Sequence, residues 1–204
     1  TILDSGARID GNVYDCLFDG YGTMTWENGD VYVGDWKNDL REGWGVFTSH
    51  TGIQYVGEWV ASQREGFGVC THPNGEEYVG EWENGKMSGY GTLTSANGDI
   101  YDGKWLNSKY HGPGKFTKAN GHTFVGICKN GKACGKGKIK FSNGETYKGM
   151  WYNDHRHGKG ICEYPGGARY IGDWKRGRFC GEVHLRQGRK IWRRDRGEAQ
   201  YCHL

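Results

Sequence analysis

The residues best suited to chemistry in this 204-residue chain fall at a fixed interval. Asp19, Glu42, Glu65, Ser88, His111, Cys134, His157 and Cys180 follow one another every 23 residues, and His155 lies beside His157. The C-terminal part of this column offers Cys134, His155, His157 and Cys180, a thiolate and imidazole set that suits tetrahedral zinc. Equivalent positions in adjacent repeats are expected about 9.6 Å apart, two strand spacings, so they cannot close on one ion within one chain. Two ligands from each of two chains could do so, and zinc would then clamp a dimer. The simpler reading is a set of unrelated polar loop residues, and no cofactor is required.

Other chemistry is harder to place. The glycines form no phosphate-binding loop, because they alternate within strands and no helix follows them. Cysteine and histidine are present, but spacing assigns no third group to orient them for nucleophilic catalysis. An enzyme is not expected.

The net charge of +3 conceals a polarity. Residues 1–100 carry sixteen acidic and five basic side chains, and the remainder carries eight acidic and twenty-two basic ones. Opposite charges on the two halves could steer association between chains. The basic end includes Lys175, Arg176, Arg178, Arg186, Arg189, Lys190, Arg193 and Arg194, which suit an anionic phospholipid or an acidic protein partner. Nucleic acid is not expected, because no recognition motif accompanies the charge. There is no secretory signal and no apolar run long enough to span a bilayer. The seven cysteines are read as free thiols of a reducing cytoplasm, with Cys70 and Cys162 as small apolar groups in the core.

The elements that position these residues come from the same interval. Tyr32, Tyr55, Tyr78, Tyr101, Phe124, Tyr147 and Tyr170 recur every 23 residues. Gly34, Gly57, Gly80, Gly103, Gly126, Gly149 and Gly172 follow two residues later, and Trp36, Trp59, Trp82, Trp105, Trp151 and Trp174 four residues later. Cys128 replaces tryptophan in the sixth unit and Val13 in the first. Tyr78, Gly80 and Trp82 alternate with Val79 and Glu81, the period of a strand with two unlike faces. Glycine between aromatics leaves room for a ring to lie on bare backbone. A returning strand carries Gly89, Gly91 and Leu93, and Asn-Gly pairs such as Asn74-Gly75 read as tight hairpin turns. The expectation is all-β: an elongated, solenoid-like, single-sheet antiparallel meander of 23-residue hairpins, spanning roughly 75 Å at about 4.8 Å per strand.

The pattern Tyr-x-Gly-x-Trp, short loop, Gly-x-Gly, Asn-Gly resembles the MORN repeat, the membrane occupation and recognition nexus. Residues 1–8 read as the remnant of a preceding repeat, 9–188 as eight repeats and 189–204 as a cap in which Ile191 and Trp192 cover the last edge. Pro113, Phe124 and Cys128 are expected to weaken backbone pairing and ring packing between the fifth and sixth units. The resemblance, to stand-alone cytoskeletal arrays of protists in particular, implies a scaffold. Such an array dimerises through its repeats, binds cytoskeletal proteins and lies in the cytoplasm at the cytoskeleton or the inner face of a membrane. The alternative is a peripheral lipid-binding module using the basic half.

Overall fold

The computed structural model describes residues 8–14, 17–180, 183–187 and 190–194. Every regular element among them is a β-strand, and the chain divides into two units. The first runs to Asn97 and takes in Trp105–Ser108; the second comprises Gly98–Lys104 and the chain from Lys109 onward. Strands β1 (Arg8–Tyr14), β2 (Leu17–Thr25), β3 (Val31–Lys37), β4 (Leu40–Thr48), β5 (Gln54–Val60), β6 (Gln63–Thr71), β7 (Glu77–Glu83) and β8 (Lys86–Thr94) lie in the first unit. The second begins within β9 (Ile100–Leu106) and continues through β10 (Lys109–Thr117), β11 (Thr123–Lys129), β12 (Lys132–Lys140), β13 (Thr146–Tyr152), β14 (His155–Glu163) and β15 (Arg169–Lys175). It ends with β16 (Arg178–Cys180), β17 (Val183–Gln187) and β18 (Lys190–Arg194). Within each unit every strand pairs antiparallel with its successor, except that β15 pairs with both β16 and β17. The meander expected from the sequence is the observed topology. β18 pairs with β17, Leu185 opposite Trp192 in register; of the cap expected over 189–204, residues 189 and 195–204 lie outside the described residues.

Most repeats bury one tyrosine against two glycines. Gly80 and Gly91 face each other across β7 and β8, and the Tyr78 ring lies over them with its hydroxyl donating to the Glu81 carbonyl at 2.9 Å. A Cβ on Gly91 would stand 2.6 Å from Tyr78 Cζ, so only glycine leaves room for the ring. Trp82 then meets Tyr78 edge-to-face at 5.2 Å and Tyr55 of the preceding repeat at 5.3 Å. Its indole N–H donates back to the Gly68 carbonyl. Such pairs contribute about 0.5–1.5 kcal/mol beyond their area. The buried face is thus a ladder of alternating tyrosine and tryptophan, with Tyr32, Tyr55, Tyr147 and Tyr170 fully covered.

The turns differ from expectation. The Asn-Gly segments do not form two-residue hairpins: at Trp26–Asp30 the Gly29 amide donates to Trp26 O, and only Gly29 has positive φ. That is a three-residue loop, Glu27 to Gly29, closed by a left-handed glycine. The two-residue turns stand at the other strand ends, where Asn38 and Asp39 (φ 49° and 64°) or Asn153 and Asp154 (φ 47° and 65°) both take left-handed angles.

Pro113 leaves the pairing of β10 with β11 uninterrupted. Trp44, Phe67 and Tyr90 hold its position in earlier repeats, beside a register shift. Their amides donate to side chains: Trp44 to Asp35 Oδ2 at 3.3 Å, Phe67 to Glu58 Oε1 at 3.0 Å and Tyr90 to Glu81 Oε1 at 2.8 Å. Proline at this place removes an amide that has no ladder role, and β10 pairs with β11 without interruption from Gly112 to Thr117.

Candidate functional site

The column that suggested zinc does not converge within the chain. Cys134 is half-buried in β12, His155 and His157 are half-buried in β14, and Cys180 is exposed at the end of β16. Among the described residues no group of three or more His, Cys, Asp or Glu side chains is placed to hold a metal ion. In the first unit the same column has a structural task. Glu42 Oε2 accepts the Ala61 amide at 3.0 Å and Glu65 Oε2 the Asn84 amide at 2.9 Å, so each carboxylate ties down the next two-residue turn.

Of the basic residues, Lys175, Arg176 and Arg178 are exposed around the turn between β15 and β16. Arg186 belongs to β17 and Lys190, Arg193 and Arg194 to β18, while Arg189 lies outside the described residues. The described free cysteines include Cys70 and Cys162, both buried as the sequence suggested.

Two further columns went unread in the sequence. Nine residues after the tyrosine stand Arg41, Arg64 and Arg156, each lying against the rings of the buried face. The Arg41 guanidinium is 4.2 Å from the Trp59 ring centroid, and Arg156 is 5.1 Å from Tyr147 and 5.0 Å from Trp174. Burial pushes the Arg41 pKa down, and Tyr32 opposes that shift. Arg156 is also paired with buried Glu145, Nη2 to Oε1 at 2.7 Å, and the Cys162 thiol donates to the same oxygen at 3.2 Å. Burial, followed by the charge of Glu145, pushes the Cys162 thiol up to about 12, so it is no nucleophile.

The second column is the middle residue of Gly-x-Gly. Tyr21, Trp44, Phe67 and Tyr90 are 67%, 54%, 48% and 59% exposed, on the face opposite the buried rings. Their spacing is one repeat, about 9.6 Å, and carboxylates interleave with them, since Asp35 stands opposite Tyr21, Glu58 opposite Trp44 and Glu81 opposite Phe67. In the second unit the column continues as Pro113, Lys136 and Lys159. The signal was available: this position is polar or small where a strand faces water, and here it is aromatic four times in succession.

The MORN repeat model matches eight consecutive segments, 17–31, 32–54, 55–77, 78–100, 101–123, 124–146, 147–169 and 170–182. The chain belongs to the MORN-repeat family. Comparison of this MORN array with curated protein sequences finds no match. Among solved structures it is similar to the G-box domain of the microcephaly protein CPAP, reported with a suggested role in centriole elongation. That likeness has a TM-score of 0.53 at 12% identity and covers 92% of this chain and 97% of that one. A weaker likeness, TM-score 0.41 at 14% identity, is to the SAS-4 TCP domain of Drosophila melanogaster in complex with a proline-rich motif of Ana2. It covers 74% of this chain and 88% of that one. The first is a likeness of fold alone.

Proposed function

We propose that this MORN array is a structural scaffold that associates with a second copy and with cytoskeletal proteins through its repeats. The observation that carries this reading is the exposed column Tyr21, Trp44, Phe67 and Tyr90. Four large aromatics in line, rimmed by carboxylates, form the kind of patch that marks a protein interface rather than a plain solvated face. The polar groups around it are committed to holding the fold: tyrosine hydroxyls to carbonyls, carboxylates to turn and bulge amides. What remains for function is surface, not reactive chemistry.

Opposite formal charges on the two halves of the sequence favour pairing of one chain's acidic repeats with another's basic ones. Within such a dimer Cys134, His155, His157 and Cys180 of two chains supply the donors for a bridging zinc ion. The setting that follows from the family is cytoplasmic and cytoskeletal, and the CPAP G-box domain of like fold has been given a role in centriole elongation. Exposed Lys175, Arg176 and Arg178 support a second reading, contact with anionic phospholipid at the cytoplasmic face of a membrane.

Light scattering coupled to size exclusion tests these readings together. The scaffold predicts a dimer at micromolar concentration without lipid, weakened by salt where charge dominates and by a chelator where zinc does. A monomer under all these conditions that sediments with anionic vesicles would replace the scaffold by the lipid module.

A further inference from the structure

In most repeats a large residue stands opposite the tryptophan across the hairpin: Trp36 faces Arg41, Trp59 faces Arg64, Trp82 faces Met87, Trp151 faces Arg156 and Trp174 faces Phe179. In the hairpin of β11 and β12 the pair is Cys128 and Ala133. Both positions are truncated in the same repeat. Tyr55, Tyr78 and Tyr147 each touch a tryptophan of their own repeat and one of the next. For Tyr101 the residue in the second place is Cys128, and the Tyr110 ring leans in instead, its centroid 4.1 Å away.

The leaning ring does not fill the space. A partly open pocket of about 170 Å³ remains, walled chiefly by Tyr101, Tyr110, Phe116, Phe124, Cys128 and Ile139. For scale, an apolar cavity of roughly 150 Å³ stays dry and takes up benzene. Burial, then the nearby charge of Asp154, pushes the Cys128 thiol up to about 11, so this wall is a neutral thiol and behaves as a small apolar group. The polar groups at the rim already have partners. Lys118 Nζ lies 3.3 Å from Asp99 Oδ2, His122 Nε2 is 3.1 Å from Ser142 Oγ, and Asp154 Oδ1 accepts the Ala133 amide at 2.7 Å. Lys118 is paired with Asp99, the Asp154 carboxylate is held by a backbone amide, and the remaining wall is apolar, so the ligand chemistry is that of a neutral ring.

The chain itself shows which ring fits. Six other repeats place an indole at the position Cys128 occupies, against the same tyrosine column. We propose that the sixth repeat is a socket for one indole ring, completing between Tyr101 and Phe124 the stack that its own sequence leaves open. The socket lies on the buried-ring face, not on the exposed aromatic column, and its occupancy does not depend on dimer formation. The shared chemistry is a neutral indole; it can arrive as a free small molecule or as a tryptophan side chain of a partner.

Isothermal titration calorimetry on the whole chain separates the sources, with free indole in one arm and N-acetyltryptophanamide in the other. Binding of indole alone assigns the socket to a small molecule, and binding of the amide assigns it to a partner's side chain. Cys128→Trp should fill the cavity from within, raise Tm and weaken either probe at least tenfold, while Cys128→Ala should keep the affinity because the thiol takes no part. If Cys128→Trp does not fold, Ala133→Met blocks the same space. No heat with either probe on the wild-type chain, or equal affinity in a folded filled variant, would overturn the proposal.

Discussion

The two units follow one repeat and treat the same positions differently. In the first, the amide after the left-handed glycine needs an acceptor, and Asp35, Glu58 or Glu81 provides it. In the second, the equivalent positions hold Lys104, Ile127 and Met150 before Asp173 restores a carboxylate, and at Pro113 the amide itself is gone. The exposed aromatic column ends at Tyr90 and becomes Pro113, Lys136 and Lys159, while the inner ladder loses one tryptophan to Cys128. Only at Pro113 do the polar demand and its supplier disappear together; Lys136 and Lys159 keep the amide, while Ile127 and Met150 offer no carboxylate. The acidic character of the first unit is in part a consequence of its bulges, not only of its partners.

The largest effect that can break this comparison is at the arginine column. Arg156→Ala would strand Glu145 in the buried face, and such a loss costs about 3–5 kcal/mol. Arg64→Ala removes a guanidinium 4.9 Å from the Tyr55 ring that makes no ion pair among the described residues, so it should cost about 1 kcal/mol in lost ring contact. Equal losses in urea unfolding would show that the Glu145 pair adds nothing.

Next in size is the glycine pair. Gly91→Val should cost about 1–3 kcal/mol by driving a branched side chain into the Tyr78 ring. An unchanged melting temperature would refute the packing of tyrosine on bare backbone. Smaller still is the bulge. Glu81→Ala should lower Tm by less than Gly91→Val does, because the Tyr90 amide loses its acceptor, and Lys104→Ala should lower it by less again because Pro113 has no amide to satisfy. A matching drop in both would sink the idea that carboxylate and amide are lost as a pair.

Much of the fold was legible because its physics is periodic. Tyr78, Gly80 and Trp82 share one face of a strand, and the same spacing in seven other units leaves little choice but a meander of hairpins. Register and buried face follow from those three columns. The turns were misread because Asn-Gly satisfies two geometries, and only the backbone shows that Gly29 alone is left-handed while Asn38 and Asp39 make the tight turn. The role of Pro113 could not be read without knowing where the amide at its position points. Glu42 and Glu65 share a column with Cys134 and His157, but their task, accepting turn amides, shows only in the structure. The exposed aromatic column was hidden for a simpler reason: Trp44 and Phe67 sit between the glycines that drew attention, at a place where their exposure depends on the pleat.

The most direct test removes that surface alone. Replacing Tyr21, Trp44, Phe67 and Tyr90 together by serine leaves the buried ladder and every carboxylate in place, and the molar mass of the variant can be read by light scattering beside its Tm. The account predicts a monomer at micromolar concentration with a Tm close to that of the wild-type dimer. A variant that keeps the wild-type mass would contradict the assignment of this column as the scaffold's interface.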